Sequence, residues 1–172
     1  RTNGGAFVLF TSYKMLELVA SLAKDEIEAK GLTFLEHGAK VTRTSLLEQF
    51  REDASAVLFG TASFWQGVDV RGQNLRNVII TRLPFDVPDK PLVEARQEQI
   101  KEKGENPFMK DQLPRAVIRF RQGIGRLIRS SDDKGDVSIL DSRVVRKFYG
   151  GAFLSALPDG VEVVDLATED FF

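Results

Sequence analysis

The run Gln122-Gly123-Ile124-Gly125-Arg126-Leu127-Ile128-Arg129 sets one amide and two guanidinium groups at spacings that converge on a helix. At about 100° per residue, Gln122, Arg126 and Arg129 fall within an arc of roughly 60°, and Arg115 and Arg119 continue the stripe upstream. Val117, Phe120, Ile124 and Leu127 take the opposite side. Such a helix docks an aliphatic back on a core and aims rigid, permanently charged forks at an anion, which is phosphate chemistry. An arginine stripe also serves as an ordinary solvated face. Gly-Arg following Gln tilts the reading toward a site, because a glycine inside a helix costs about 1 kcal/mol and calls for a reason.

A second run, Thr61-Ala62-Ser63-Phe64-Trp65-Gln66-Gly67-Val68-Asp69, follows the apolar Val57-Leu58-Phe59. It reads as a strand end, one turn bearing hydroxyls, an aromatic pair and then a carboxylate on a tight backbone path. Asp69 there can accept hydrogen bonds from ribose hydroxyls or cap the next turn. Trp65 reads first as core or as packing against the arginine helix, and only second as a stacking residue. Thr11 and Ser12 follow another apolar run, Ala6 to Phe10, and favour a helix cap; a capped helix terminus with free amides also suits a nucleic-acid phosphate. Asp141 and Arg143 occupy the corresponding place after a later run, and His37 reads as satisfying a hydrogen bond at a strand end.

The elements that must position these groups alternate. Strands are expected at 6–10, 32–35, 57–59, 77–81 and 136–140, with a last small strand at Val161 to Val164. Helices are expected from Ser12 to Gly31, from Thr42 to Phe50, from Pro91 to Lys103, from about Leu113-Pro114 through the arginine run, and from Phe148 to Leu157. Strands alternating with helices imply crossover units and a mostly parallel sheet covered on both faces. In such sheets ligands collect beyond the carboxyl ends of the strands, where the polar residues above lie. Leu83-Pro84-Phe85-Asp86-Val87-Pro88-Asp89-Lys90-Pro91 interrupts the alternation with a rigid connector that cannot join a central ladder.

Composition narrows the classes. The 172 residues fit one domain, and 24 basic against 25 acidic residues leave a net charge of -1, so nucleic acid is not bound by bulk electrostatics. Charge is instead local: Lys110, Arg115, Arg119, Arg121, Arg126 and Arg129 stand against Asp111 alone between positions 110 and 129. Without cysteine there is no disulfide, zinc ribbon or cysteine-ligated cluster in this chain, and one histidine excludes a multi-histidine metal site. No metal site is expected here. No apolar run spans a bilayer, so no membrane partner is expected. No G-x-x-x-x-G-K-[ST] occurs, and no Asp-Glu pair follows an apolar strand, so a P-loop ATPase site is not contained in the chain. The start Arg1-Thr2-Asn3-Gly4-Gly5, without Met and leading at once into a strand, reads as part of something longer.

In order, these runs resemble the C-terminal RecA-like lobe of superfamily-two helicases, in its XPD/DinG-like branch. Ala6 to Tyr13 is similar to motif IV, Gly60 to Asp69 to motif V, and Gln122 to Arg129 to motif VI. Leu83-Pro84-Phe85 and the helices after it resemble the DinG rather than the DEAD-box branch. The resemblance implies an α/β RecA-like three-layer domain filling residues 1–172 as a single C-terminal helicase lobe, with the connector and helical insertion at 84–112. It implies that Arg126 and Arg129 act as arginine fingers on ATP held by an N-terminal RecA-like lobe, and that Gln122 positions phosphate or the attacking water. Gly67 and Asp69 would contact nucleotide, and Thr11, Ser12 and Thr61 would hold single-stranded DNA. ATP and Mg2+ would be held mainly by that other lobe, where such proteins commonly carry an iron–sulfur cluster. Arg115 and Arg119 lie outside the motif and stand open between pairing with acids such as Asp86 and touching DNA. The implied activity is a DNA helicase moving 5′ to 3′ in the cytoplasm, nucleoid-associated when on DNA. A DNA-docking or regulatory lobe in a DinG-like nuclease is the alternative.

Overall fold

The computed structural model describes residues 2–38, 41–65, 74–86, 91–125 and 135–165. Five strands, β1 (Ala6–Leu9), β2 (Thr33–Glu36), β3 (Ala56–Gly60), β4 (Asn77–Ile80) and β5 (Asp136–Ile139), form one sheet in the order β2-β3-β1-β4-β5. Every pairing is parallel, with Leu9 opposite Gly60 on one side and Ile80 on the other. β1 and β3 are buried along their whole length, which is why both read as unbroken apolar runs.

The period of two along each strand divides the core. Ala6, Val8, Phe10, Val57 and Phe59 point to one face, which α1 (Tyr13–Ala29) covers with Leu16 and Ala20. Phe7, Leu9, Leu58, Val78 and Ile80 point to the other. That second face is covered by Leu46, Leu47 and Phe50 of α2 (Arg43–Glu52), Phe64 and Trp65 of α3 (Ala62–Trp65), and Ala116, Phe120 and Ile124 of α5 (Leu113–Ile124). The result is the three-layer α/β arrangement implied by the resemblance. Gly4 and Gly5 lead into β1 at positive φ, and a Cβ on either would run into the backbone of Ser55 or Asn74, so only glycine threads the chain between β3 and β4.

Between β4 and α5 lie α4 (Pro91–Glu102) and a single π-helical turn at Phe108–Gln112. Pro114 has no amide hydrogen, and the widened turn is closed instead by the Leu113 N–H donating to the Phe108 carbonyl. Two expectations need correction. Val161 to Val164 is not a strand: it is paired with nothing in the sheet, and Val163 and Val164 are exposed. Alternating β-branched residues carry strand propensity, but a strand exists only where an edge receives it. The expected helix from Phe148 to Leu157 is shorter, α7 (Gly150–Leu154), and is preceded by α6 (Arg143–Arg146), which has too few residues to show a period. Among the described residues, no helix is long and apolar enough to cross a membrane.

Candidate functional site

The carboxyl ends of the strands carry a row of polar side chains in sheet order: His37 after β2, Thr61 after β3, Thr11 and Ser12 after β1, Thr81 after β4 and Asp141 after β5. Ser12 is the cap of α1, its hydroxyl accepting the Met15 N–H at 3.3 Å and its carbonyl the Leu16 N–H. The cap uses one acceptor of that hydroxyl and leaves its own hydrogen for another partner. Thr61 is buried, only 3% exposed, and its Oγ1 lies 3.0 Å from His37 Nδ1. His37 therefore does make the strand-end hydrogen bond expected of it. Burial, and secondly the nearby Arg43 guanidinium, lower its pKa, so the neutral ring is favoured and one nitrogen donates while the other accepts.

Trp65 joins this edge to the arginine helix. Its indole is buried, its Nε1–H donates to the Phe10 carbonyl at 3.1 Å, and its six-membered ring lies against Gly123 of α5. A Cβ on Gly123 would stand 2.9 Å from Trp65 Cε3 and 3.3 Å from Leu9 Cδ1. Packing thus accounts for the glycine that the sequence presents as a sign of phosphate chemistry. α5 ends at Ile124 with Gly125 as its cap, and Gln122 is exposed in its last turn. Arg126, Arg129, Gly67 and Asp69 lie outside the described residues, as does the continuation of the stripe.

The stripe that is described has a structural partner. Asp86, 10% exposed, pairs with Arg119 Nη1 through one oxygen and with Arg115 Nε at 3.1 Å through the other. Burial works against the Asp86 charge, but the hydrogen bonds and charges of Arg119 and Arg115 outweigh it and hold the carboxyl below its ordinary value. Asp141 is a parallel case: burial opposes its charge, and Arg143, the Leu83 N–H at 2.9 Å and the Arg143 N–H hold its pKa down. Both carboxylates pin the connector, Asp141 from the end of β5 and Asp86 from within the connector itself. Replacing Asp86 with Ala is expected to cost about 2 kcal/mol in denaturant unfolding, below the ~3–5 of a fully buried pair because both arginines keep solvent access. An unchanged midpoint would show that the pair is decorative.

The sign of the pH dependence follows from those lowered values. The unfolded chain takes up the protons more readily, so this stability is complete above the ordinary carboxylate pKa of about 4 and is lost as pH falls through the lower folded values. Melting temperature is expected to fall gently below about pH 6.5, where the unfolded chain protonates His37 more readily than the folded one does, and to drop further below about 4, with that second step smaller in Asp86→Asn.

Residues 1–160 match the helicase C-terminal domain family. The chain belongs to that family. Among named relatives of this helicase domain, the ATP-dependent DNA helicase YoaA of Haemophilus influenzae is 45% identical over 164 residues, 95% of this chain and 25% of that protein. The 3'-5' exonuclease DinG of Bacillus subtilis is 47% identical over 154 residues, 88% of this chain and 16% of that protein. The chain therefore spans a quarter or less of the length of these relatives. An XPD structure in its apo form superposes with a TM-score of 0.69 at 20% identity, covering 90% of this chain and 31% of that one, and confirms the RecA-like fold of the helicase domain.

Among the described residues, no group of three or more histidine, cysteine, aspartate or glutamate side chains is placed to hold a metal ion. Tyr13 closes the motif IV run, and the sequence gives it no role of its own: its hydroxyl lies 3.3 Å from the ring nitrogens of His37. The signal available was an aromatic at the first turn of a helix leaving a parallel strand, which does not by itself reveal a partner 24 residues away.

Proposed function

We propose that this chain is the second motor lobe of an ATP-dependent, DinG-like DNA helicase that moves 5′ to 3′ on single-stranded DNA inside the cell. Residues 1–172 serve as one C-terminal lobe, with the insertion at 84–112, and an N-terminal RecA-like lobe supplies the ATP and Mg2+ site. In this reading Arg129 and Arg126 reach the γ-phosphate across the lobe interface and stabilise charge in the transition state. Gln122 positions phosphate or water, Gly67 and Asp69 contact nucleotide, and Thr11 and Ser12 hold the DNA backbone, while Thr61, 3% exposed and bonded to His37, supports that edge rather than touching the strand. ATP binding then draws the lobes together and hydrolysis releases them, so that phosphate-directed grips are made and broken along the strand.

The observation that supports this most directly is the contact of Trp65 with Gly123. It locks the segment entering motif V onto the helix entering motif VI, beside the hydroxyl-bearing strand ends, so a force on one is felt by the other. The names of the helicase relatives agree with it. The Bacillus relative named an exonuclease favours a second reading, a docking lobe that positions DNA for a nuclease.

Two measurements on the purified chain test the split-site reading. Single-stranded DNA binding is expected to be weak and to fall roughly tenfold between about 50 and about 200 mM salt, as two to three neutralised phosphates require. ATP hydrolysis by the chain alone is expected to be absent. Turnover without the other lobe would refute the division of the site, and salt-independent or undetectable binding would refute the DNA grip.

A further inference from the structure

Tyr13 sits in the first turn of α1 directly after the capping Ser12, and its side chain is about half in solvent, at 50% exposure. Its ring is nonetheless fixed. The hydroxyl is held by His37, and the two rings lie with centroids 5.3 Å apart at an angle of 43°. His37 in turn meets the fully buried Phe64 edge-on, with centroids 4.8 Å apart, and the Arg43 guanidinium lies 5.8 Å from the Phe64 ring centre. A ladder of rings thus runs from the core to the surface. Its outermost ring belongs to neither hydrophobic cluster, so core packing does not explain its place. Ser12 adjoins the outermost ring in sequence, and Thr61 meets the middle one through His37 Nδ1.

We infer that Tyr13 and His37 form a stacking shelf for one unpaired nucleobase, set beside the backbone grip of Thr11 and Ser12. The inference rests on the proposed DNA-holding role of those hydroxyls and adds a contact of a different chemical kind. Phosphate grips are available to single and double strands alike, whereas a base can lie on a tyrosine only when its own face is free. The shelf therefore selects single strands, and because every base has a π face it does so without regard to sequence. A ring already held at its hydroxyl loses little freedom when a base settles on it. His37 is the positioning residue: its Nδ1 meets the Thr61 hydroxyl at 3.0 Å and both ring nitrogens lie 3.3 Å from the tyrosine hydroxyl, so it ties the shelf to the end of β3.

The test compares binding of the chain to oligothymidylate and to an abasic strand of equal length. Tyr13→Ala is expected to weaken oligothymidylate binding by roughly five- to a hundredfold while leaving the abasic strand unchanged, and Tyr13→Phe, which keeps the face but loses the His37 hold, is expected to lose far less on oligothymidylate and nothing on the abasic strand. Tyr13→Leu, which retains apolar bulk without a π face, is expected to behave as the alanine variant even if that one folds poorly. A single 2-aminopurine in the strand is expected to be quenched by the wild type and by Tyr13→Phe but not by Tyr13→Leu. Equal losses on both strands, or no loss on either, would overturn the shelf while leaving the DNA grip standing. If the wild type binds neither strand, the grip itself fails and the shelf falls with it.

Discussion

Replacing Arg129 with Ala in a full-length helicase that contains this lobe is expected to lower DNA-stimulated ATP hydrolysis by about 10³ or more, while ATP binding weakens far less. That factor corresponds to about 4 kcal/mol of transition-state stabilisation. The reason is geometric as well as electrostatic. Charge spreads onto the γ-phosphoryl oxygens only as the bond breaks, so a guanidinium placed there by lobe closure acts on the transition state more than on bound ATP. Arg129→Lys is expected to recover only part of the loss, because an ammonium brings the charge without the planar fork. A large fall in kcat with a modest change in nucleotide affinity is the expected signature. Near-normal turnover would remove the finger assignment, and a wild-type protein that binds DNA but never hydrolyses ATP would favour the docking lobe of a nuclease.

Much of the scaffold behind that prediction is legible in residue types. Strands buried on both faces cannot hide, and β1 and β3 are uninterrupted apolar runs for that reason. Helix starts are legible where a side chain does the capping, as Ser12 and Thr42 do. What sequence does not carry is pairing at a distance. Asp86 is 29 residues from Arg115, and nothing in the stripe itself decides between an acid and DNA as its partner. Nor does it carry the reason for Gly123. A glycine inside a helix announces that something comes close, and here the close neighbour is the Trp65 indole rather than a phosphate. The motif is legible as a motif, yet part of its composition serves packing.

α5 is accordingly a strut with three attachments. Its arginines hold the connector through Asp86, its apolar back lies on the sheet, and Gly123 receives Trp65. Trp65→Ala is expected to destabilise the chain by about 3–5 kcal/mol, since it empties a buried site of indole volume and deprives the Phe10 carbonyl of its donor. Trp65→Phe is expected to cost less, about 1–2 kcal/mol, most of it the lost hydrogen bond and residual space.

The decisive measurement is a double-mutant cycle with Gly123→Ala. Alanine gains about 1 kcal/mol of helix propensity over glycine, but its Cβ at 2.9 Å from the indole forces α5 or Trp65 to shift. The indole is anchored at Nε1 and α5 is anchored at Asp86, so neither yields cheaply. A net loss of roughly 1–3 kcal/mol is expected in the wild-type background, and a smaller loss or a gain in Trp65→Phe, whose ring leaves the helix room. A coupling of at least about 0.5 kcal/mol in denaturant unfolding would bear this out, and strict additivity would show that the two residues do not bear on one another. The same cycle, made in a full-length helicase that contains this lobe and read in DNA-stimulated ATPase, separates stability from transmission: the lock between the two motif-bearing segments requires turnover to fall in Gly123→Ala at temperatures where the protein remains folded.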